Sequence, residues 1–291
     1  MFRFWRCATV VGLACVLMTT STMVGARGTA ATRDRPGRTH LHYAANSNFG
    51  PDGRYLPGQY GFNLADVSTA AQLAALPRGV LGLVYLGSCG GADQDFVTAV
   101  DGFSGSKKLF GFYLMDDPVP ATCPAANLES ESTYIHEHFR RARTFIVEQN
   151  LSASTDPSYT GGYDPDNTGI DFFGIDPYPC RTELNGCAPT MIASYVSAAE
   201  RFGIPRTSII PVFQAFGGGT WLDDGGGGYQ MPTAAEMRSI IDQWAELIPS
   251  PVFDFTYSWG SQRADIALAD APASVRLVLA AHNARCPRRV S

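Results

Sequence analysis

Two hydrophobic patterns take turns along the chain. Short, nearly continuous apolar runs such as 79–87 (GVLGLVYLG), 109–115 (LFGFYLM) and 172–175 (FFGI) read as strands buried on both faces. Between them, apolar residues recur three and four positions apart, as in Met237, Ile240, Ile241, Trp244 and Leu247, which is one face of a helix. The pattern predicts strands over 40–46, 79–87, 109–115, 144–148, 172–176, 208–216 and 252–259. It predicts helices over 65–76, 95–103, 131–141, 190–202, 233–248 and 273–284. Asn63 serves as the N-cap of the first helix and Pro77 ends it, while Gly203 and Pro205 punctuate the end of the fourth.

Strand and helix in alternation predict an α/β fold with parallel strands. An open doubly wound sheet and a closed barrel both fit that pattern, and the number of strands favours a (β/α)8 TIM-type barrel in a single domain over 40–285. Seven strands are placed in this way and the eighth is not. A length of 291 residues suits a barrel, which commonly needs about 250.

The flanks do not share the alternation. Residues 1–26 begin with Arg3 and Arg6, continue through an apolar segment and end in Val24-Gly25-Ala26, the small-residue pattern of a cleaved secretion signal. That apolar segment is shorter than the ~20 residues of a spanning helix, so no membrane association is expected beyond the signal. Residues 27–39 (RGTAATRDRPGRT) have almost nothing to bury and read as a disordered linker, and 286–291 read as a tail. The predicted protein is secreted, extracellular and monomeric.

A net charge of −5 gives no electrostatic support to a nucleic-acid partner and fits a neutral ligand better. In an oxidising compartment Cys89, Cys123, Cys180, Cys187 and Cys286 would form two disulfides and leave one thiol. Cys180 and Cys187 bracket a short loop, and Cys89 and Cys123 each follow a strand end. No C-x-x-C pair supports zinc, and 164–171 (DPDNTGID) lacks the glycine and distal glutamate of a calcium loop, so neither metal nor other cofactor is expected. The glycines of 217–228 match no phosphate-binding spacing and read as a loop over the mouth.

Candidate chemistry gathers at strand ends. Asp116 and Asp117 stop an apolar, aromatic run, where a desolvated carboxyl can hold a proton and act as general acid. Asp176 ends another strand at the same end of the sheet, and acetal hydrolysis needs a proton donor and a carboxylate on opposite sides of the bond. Glu148 follows Ile146-Val147 and is a third acid if that run is a strand. Gln214 can only hydrogen-bond a ligand. Tyr113, Tyr178, Phe216, Tyr257 and Trp259 offer hydroxyls and flat faces suited to the C–H faces of sugar rings, with Tyr178 and Trp259 as the leading platforms.

Phe112-Tyr113-Leu114-Met115-Asp116-Asp117-Pro118 resembles the Y-L-x-D-E-P strand end of secreted (β/α)-barrel glycoside hydrolases and their uncharacterised relatives. Residues 171–179 (DFFGIDPYP) resemble their D-x-x-G-x-D-x-Y-P strand. Gln214-Ala215-Phe216-Gly217 and Tyr257-Ser258-Trp259-Gly260 extend the likeness over most of 40–285. The resemblance implies a secreted protein acting on a carbohydrate by carboxylate acid/base hydrolysis, with Asp117 as proton donor, Asp176 as base or nucleophile and Asp116 as an orienting neighbour. Tyr113, Tyr178, Gln214, Tyr257 and Trp259 would then bind the substrate. The chain departs from the pattern in carrying Asp117 in place of Glu, and Gln214 and Tyr257 or Trp259 where a nucleophilic glutamate would stand. The alternative is a non-catalytic carbohydrate-binding or cell-envelope protein on the same barrel.

Overall fold

The computed structural model describes residues 41–184, 186–222 and 226–284. The predicted signal, linker and tail, with His40 and Cys286, lie outside the described residues.

Eight strands close into a parallel barrel. They are β1 (Leu41–Ala44), β2 (Leu64–Val67), β3 (Leu81–Tyr85), β4 (Leu109–Asp116), β5 (Arg143–Val147), β6 (Phe172–Ile175), β7 (Ile209–Gln214) and β8 (Phe253–Tyr257). Each pairs with its neighbours in sequence, and β1 closes the ring against β8 with Leu41 beside Phe253 and Ala44 beside Thr256. Between strands run α1 (Ala70–Ala75), α2 (Gln94–Asp101), α3 (Ala125–His138), the short α4 (Pro165–Thr168), α5 (Met191–Phe202), α6 (Ala234–Leu247) and α7 (Ala273–Asn283). This is the (β/α)8 architecture that the alternation predicts.

The eighth strand lies inside the segment read as a single helix. Leu64, Ala65 and Val67 are buried in β2, and α1 starts only at Ala70, with the Thr69 hydroxyl accepting the Gln72 N–H at 3.1 Å. Asn63 caps no helix. Its Oδ1 accepts the His42 N–H at 2.8 Å and ties β2 to β1. A four-residue strand followed by a six-residue helix leaves too few positions for either period to show.

Two apolar layers hold the barrel. Inside, Tyr43, Phe145, Phe253 and Phe255 pack together, with Tyr43 on Phe255 at 4.7 Å and Phe145 on Phe253 at 5.2 Å between ring centroids. Each such fully buried ring contributes about 1.5–3 kcal/mol relative to exposure. Outside, residues such as Phe112, Ile146, Phe173, Met237 and Trp244 fill the space between strands and helices. The outer layer also holds a polar cluster. Asp254 of β8 bonds His42 Nδ1 at 2.9 Å and His282 Nε2 of α7 at 2.8 Å, joining the last helix to the first and last strands.

The β4 strand is irregular where it matters. Against β5, Tyr113 pairs with Phe145, Met115 with Ile146 and Asp116 with Val147, so that two residues of β4, Leu114 and Met115, oppose Ile146 alone. This bulge places Tyr113 and Asp116 on the same, inner side although they are three apart. Gly111 makes the close pairing of β4 and β5 feasible, because a Cβ there would collide with the Arg143 backbone.

Candidate active site

The C-terminal ends of the strands surround a cavity of about 270 Å³, just under the ~300–1,000 Å³ common for ligand pockets. Asp116 and Asp117 from β4 and Asp176 from the end of β6 line one part of it. Tyr178, Phe216, Trp221, Tyr229 and Tyr257 add aromatic rings, and Arg181, Gln149 and Asn150 are among the other lining residues.

The three acids differ in setting. Asp116 accepts a hydrogen bond from the Tyr113 hydroxyl below it, and burial raises its carboxyl above the usual range despite that bond. Asp117 is exposed and turns the chain with φ at +46°, a left-handed conformation that aspartate tolerates better than most residues. Its N–H donates to Val147 O at 3.2 Å, anchoring the turn to β5. Asp176 is held well above the carboxylate range, first by burial and then by repulsion from Asp117 and Asp116, which a bond from Tyr178 only partly offsets. Neighbouring carboxyls of this kind titrate together and share protons.

Tyr178 also takes a positive φ, +40°. Arg181 braces this turn, its Nε donating to Tyr178 O and Nη2 to Pro177 O, each at 2.9 Å. The guanidinium thus supports the backbone beside Asp176.

Of the residues singled out from the sequence, Asp116, Asp117, Asp176, Tyr178, Phe216 and Tyr257 come together at the cavity. Tyr113 lies beneath it, buried, and touches it only through Asp116. Gln214 is fully buried and is not among the residues that line the cavity. Its Oε1 accepts the Cys180 N–H at 2.8 Å while Nε2 donates to Cys180 O and Gln230 O at 3.0 Å, lacing two loops to β7. Trp259 is also buried away from the mouth, in the outer layer beside Tyr60 at 5.9 Å.

Trp221 supplies the aromatic wall instead, with Phe216 at 6.2 Å and Tyr257 at 6.4 Å and the Arg263 guanidinium 4.4 Å over its ring. It belongs to the glycine-rich loop. That loop needs glycine because a Cβ at Gly217 would meet the Met231 backbone and one at Gly219, whose φ is +70°, the backbone of residues 263–265. The short antiparallel pairing of Phe216–Gly217 with Ile266–Ala267 follows from this approach.

Two more carboxyls back the site. Asp66, at the end of β2, accepts the Asn46 N–H at 2.8 Å and is raised by burial, with Asp116 adding repulsion. It falls in the segment whose spacing predicts a helix, and the signal for a strand there is an acid directly after the apolar Leu64-Ala65 pair. Glu148 is fully buried at the end of β5, with Oε1 accepting the Tyr163 N–H at 3.0 Å, and burial pushes it well above its usual range. Two disulfides lie on the same face, Cys89–Cys123 between the loops after β3 and β4 and Cys180–Cys187 across a hairpin after β6.

No family model matches the chain, and no curated protein matches it. Solved structures do. The chain is similar to the family 18 chitinase ChiB of Flavobacterium johnsoniae, with TM-score 0.54 and 8% identity over 86% of this chain and 98% of that one. It is similar to the chitinase-like agglutinin of Robinia pseudoacacia, with TM-score 0.52 and 10% identity over 83% and 98%. A family 18 chitinase of Cycas revoluta in complex with (GlcNAc)3 matches with TM-score 0.52 and 11% identity over 84% and 99%. The likeness is one of fold. It extends over nearly the whole length of those proteins. Among the described residues no helix is long and apolar enough to cross a membrane.

Proposed function

We propose that the barrel mouth binds a carbohydrate and hydrolyses a glycosidic bond by carboxylate acid/base chemistry outside the cell. The observation that carries this reading is the convergence of Asp116, Asp117 and Asp176 from two strand ends on a cavity walled by aromatic rings. Burial and repulsion, which raise Asp176 well above the carboxylate range, favour it as the acid that protonates a leaving oxygen. Asp117, exposed at the rim, then acts as base or nucleophile, which exchanges the two roles that the sequence suggested. Asp116, steadied by Tyr113, keeps the pair apart in charge. The three solved chitinase-like proteins support a sugar ligand by fold alone, and the two disulfides support an oxidising compartment.

The test is product release from a panel of polysaccharides and aryl glycosides by the mature protein, Asp117→Asn and Asp176→Asn. Loss of about 10²–10⁴-fold in each folded variant is the expected result for general acid and base groups. A second reading, binding without turnover, rests on the lack of glutamate among the cavity-lining residues. Sugar binding that persists in both variants, with no product from any protein, would establish that reading instead.

A further inference from the structure

Away from the mouth, the polar cluster in the outer layer brings together the donor set of a metal site. We propose that His42, Asp254 and His282 bind a divalent transition-metal ion of the zinc type, and that the ion ties α7 to the seam where β1 and β8 close the barrel. The inference stands apart from the carbohydrate reading, since none of the three residues lines the cavity.

The donors are placed by rigid elements. His42 and Asp254 are register partners on β1 and β8, so their side chains leave the sheet side by side on its outer face. His282 reaches them from the last turn of α7, with Phe213 packed against its ring at 5.5 Å between centroids. His42 Nδ1 lies 3.0 and 2.9 Å from the two oxygens of Asp254, and His282 Nε2 lies 2.8 Å from Oδ2. All three donor atoms fall within 4.8 Å of one another. Around a tetrahedral zinc, with bonds of about 2.0–2.2 Å, donors stand about 3.3 Å apart, so no spacing here has to change by more than about 1.5 Å.

The chemistry of the set selects the ion. Two imidazole nitrogens and one carboxylate oxygen suit zinc, cobalt or nickel, whereas calcium and magnesium take oxygen ligands. Three protein ligands leave a fourth position for water. Among the described residues no lysine or arginine pairs with Asp254, and its ion-pair partners are the two histidines. In the metal-free protein the N–H groups of His42 and His282 face this carboxylate. On binding, those two protons pass to the other ring nitrogens or to solvent, and the freed lone pairs take the ion. The buried carboxylate then meets a full cation. The Asp254 side chain is 3% exposed and that of His282 19%, so the ion enters past His282.

Untagged mature protein, stripped with a chelator, is titrated with ZnCl2 by calorimetry and with CoCl2 by visible absorption, alongside His282→Gln and His136→Gln. The wild type should bind one zinc per chain and give the intense visible bands of four-coordinate cobalt. Its melting temperature should rise by about 5–10 °C at a hundredfold excess of zinc over Kd. Affinity should fall about a hundredfold or more in His282→Gln, beyond the effect usual for an outer partner. It should hold in His136→Gln, which removes a surface histidine beside Asp171. Metal-free melting scans establish that His282→Gln is folded; if it is not, anomalous diffraction from zinc-soaked wild-type crystals locates the ion directly. A wild type that binds no zinc, binding retained in folded His282→Gln, equal stabilisation by CaCl2 or MgCl2, or zinc found at the mouth acids would each overturn the inference and leave the carbohydrate reading untouched.

Discussion

At the scale of single residues, Asp176 shows the tension between site and fold. Its carboxyl is held well above the usual range by burial and by two neighbouring acids. In the unfolded chain it releases its proton near pH 4. Between those values the folded protein binds a proton that the unfolded chain lacks, so stability falls as pH rises through this window. Asp176→Asn removes the titrating group while keeping its shape. It should raise the melting temperature at pH 7, by about 2–4 °C for each kcal/mol relieved, and the gain should vanish below about pH 4. Thermal scans of both proteins across pH check this, and a variant that melts lower at every pH would sink it. Asp176 was legible in the sequence because an acid directly after a buried apolar run announces a strand end. Trp221 was not, since its place at the mouth depends on Gly217 and Gly219 meeting residues far along the chain. Gln214 and Trp259 occupy the right strand ends but turn away from the mouth, a direction that spacing alone does not give.

At the scale of elements, long strands and helices were legible and short ones were not. The β4 and β7 strands and the amphipathic α6, with its Thr233 capping box, show their periods over six or more residues. The β2 strand has four residues, one of them the polar Asp66, and its true neighbour, the capped α1, lent it a helical look. Closure of the barrel shows a different dependence on pH from that of the mouth. Burial alone would raise Asp254, but hydrogen bonds from His282 and His42 and their charge hold it below the usual range. Its contribution to stability is therefore present above about pH 4 and lost as pH falls through the lowered value. Asp254→Asn should cost about 3 kcal/mol at neutral pH, the scale of a broken buried pair, or roughly 6–12 °C of melting temperature. The difference from wild type should close in acid. A variant equal to wild type at pH 7 would show that α7 docks through its apolar face alone.

At the scale of the whole molecule, the candidate chemistry and the covalent cross-links share one end of the barrel. The acids, aromatic wall and both disulfides sit at the C-terminal ends of the strands, while the pin of His42, Asp254 and His282 lies in the outer layer. The chain-entropy model ranks the two disulfides by loop length. Cys89–Cys123 closes 34 residues and Cys180–Cys187 only 7, worth about 4 and about 2 kcal/mol respectively. Removing the first pair as Cys89→Ser with Cys123→Ser should therefore lower denaturant stability more than removing the second. Removing the second should weigh more on ligand binding, because Cys180 shares its backbone bonds with Gln214 beside the cavity. Equal effects of the two on both readouts would refute that division.

The bulge in β4 has a last consequence, best put as one of reading frame. A strand is decoded two residues at a time, and by that rule Tyr113 and Asp116 belong on opposite faces. The surplus residue shifts the frame, so everything after it is read onto the other side, and the acids reach the mouth through a miscount. Loss of a residue here is then a mild accident, for deleting Met115 restores regular pairing and leaves Asp116 two residues after Tyr113, still facing inward.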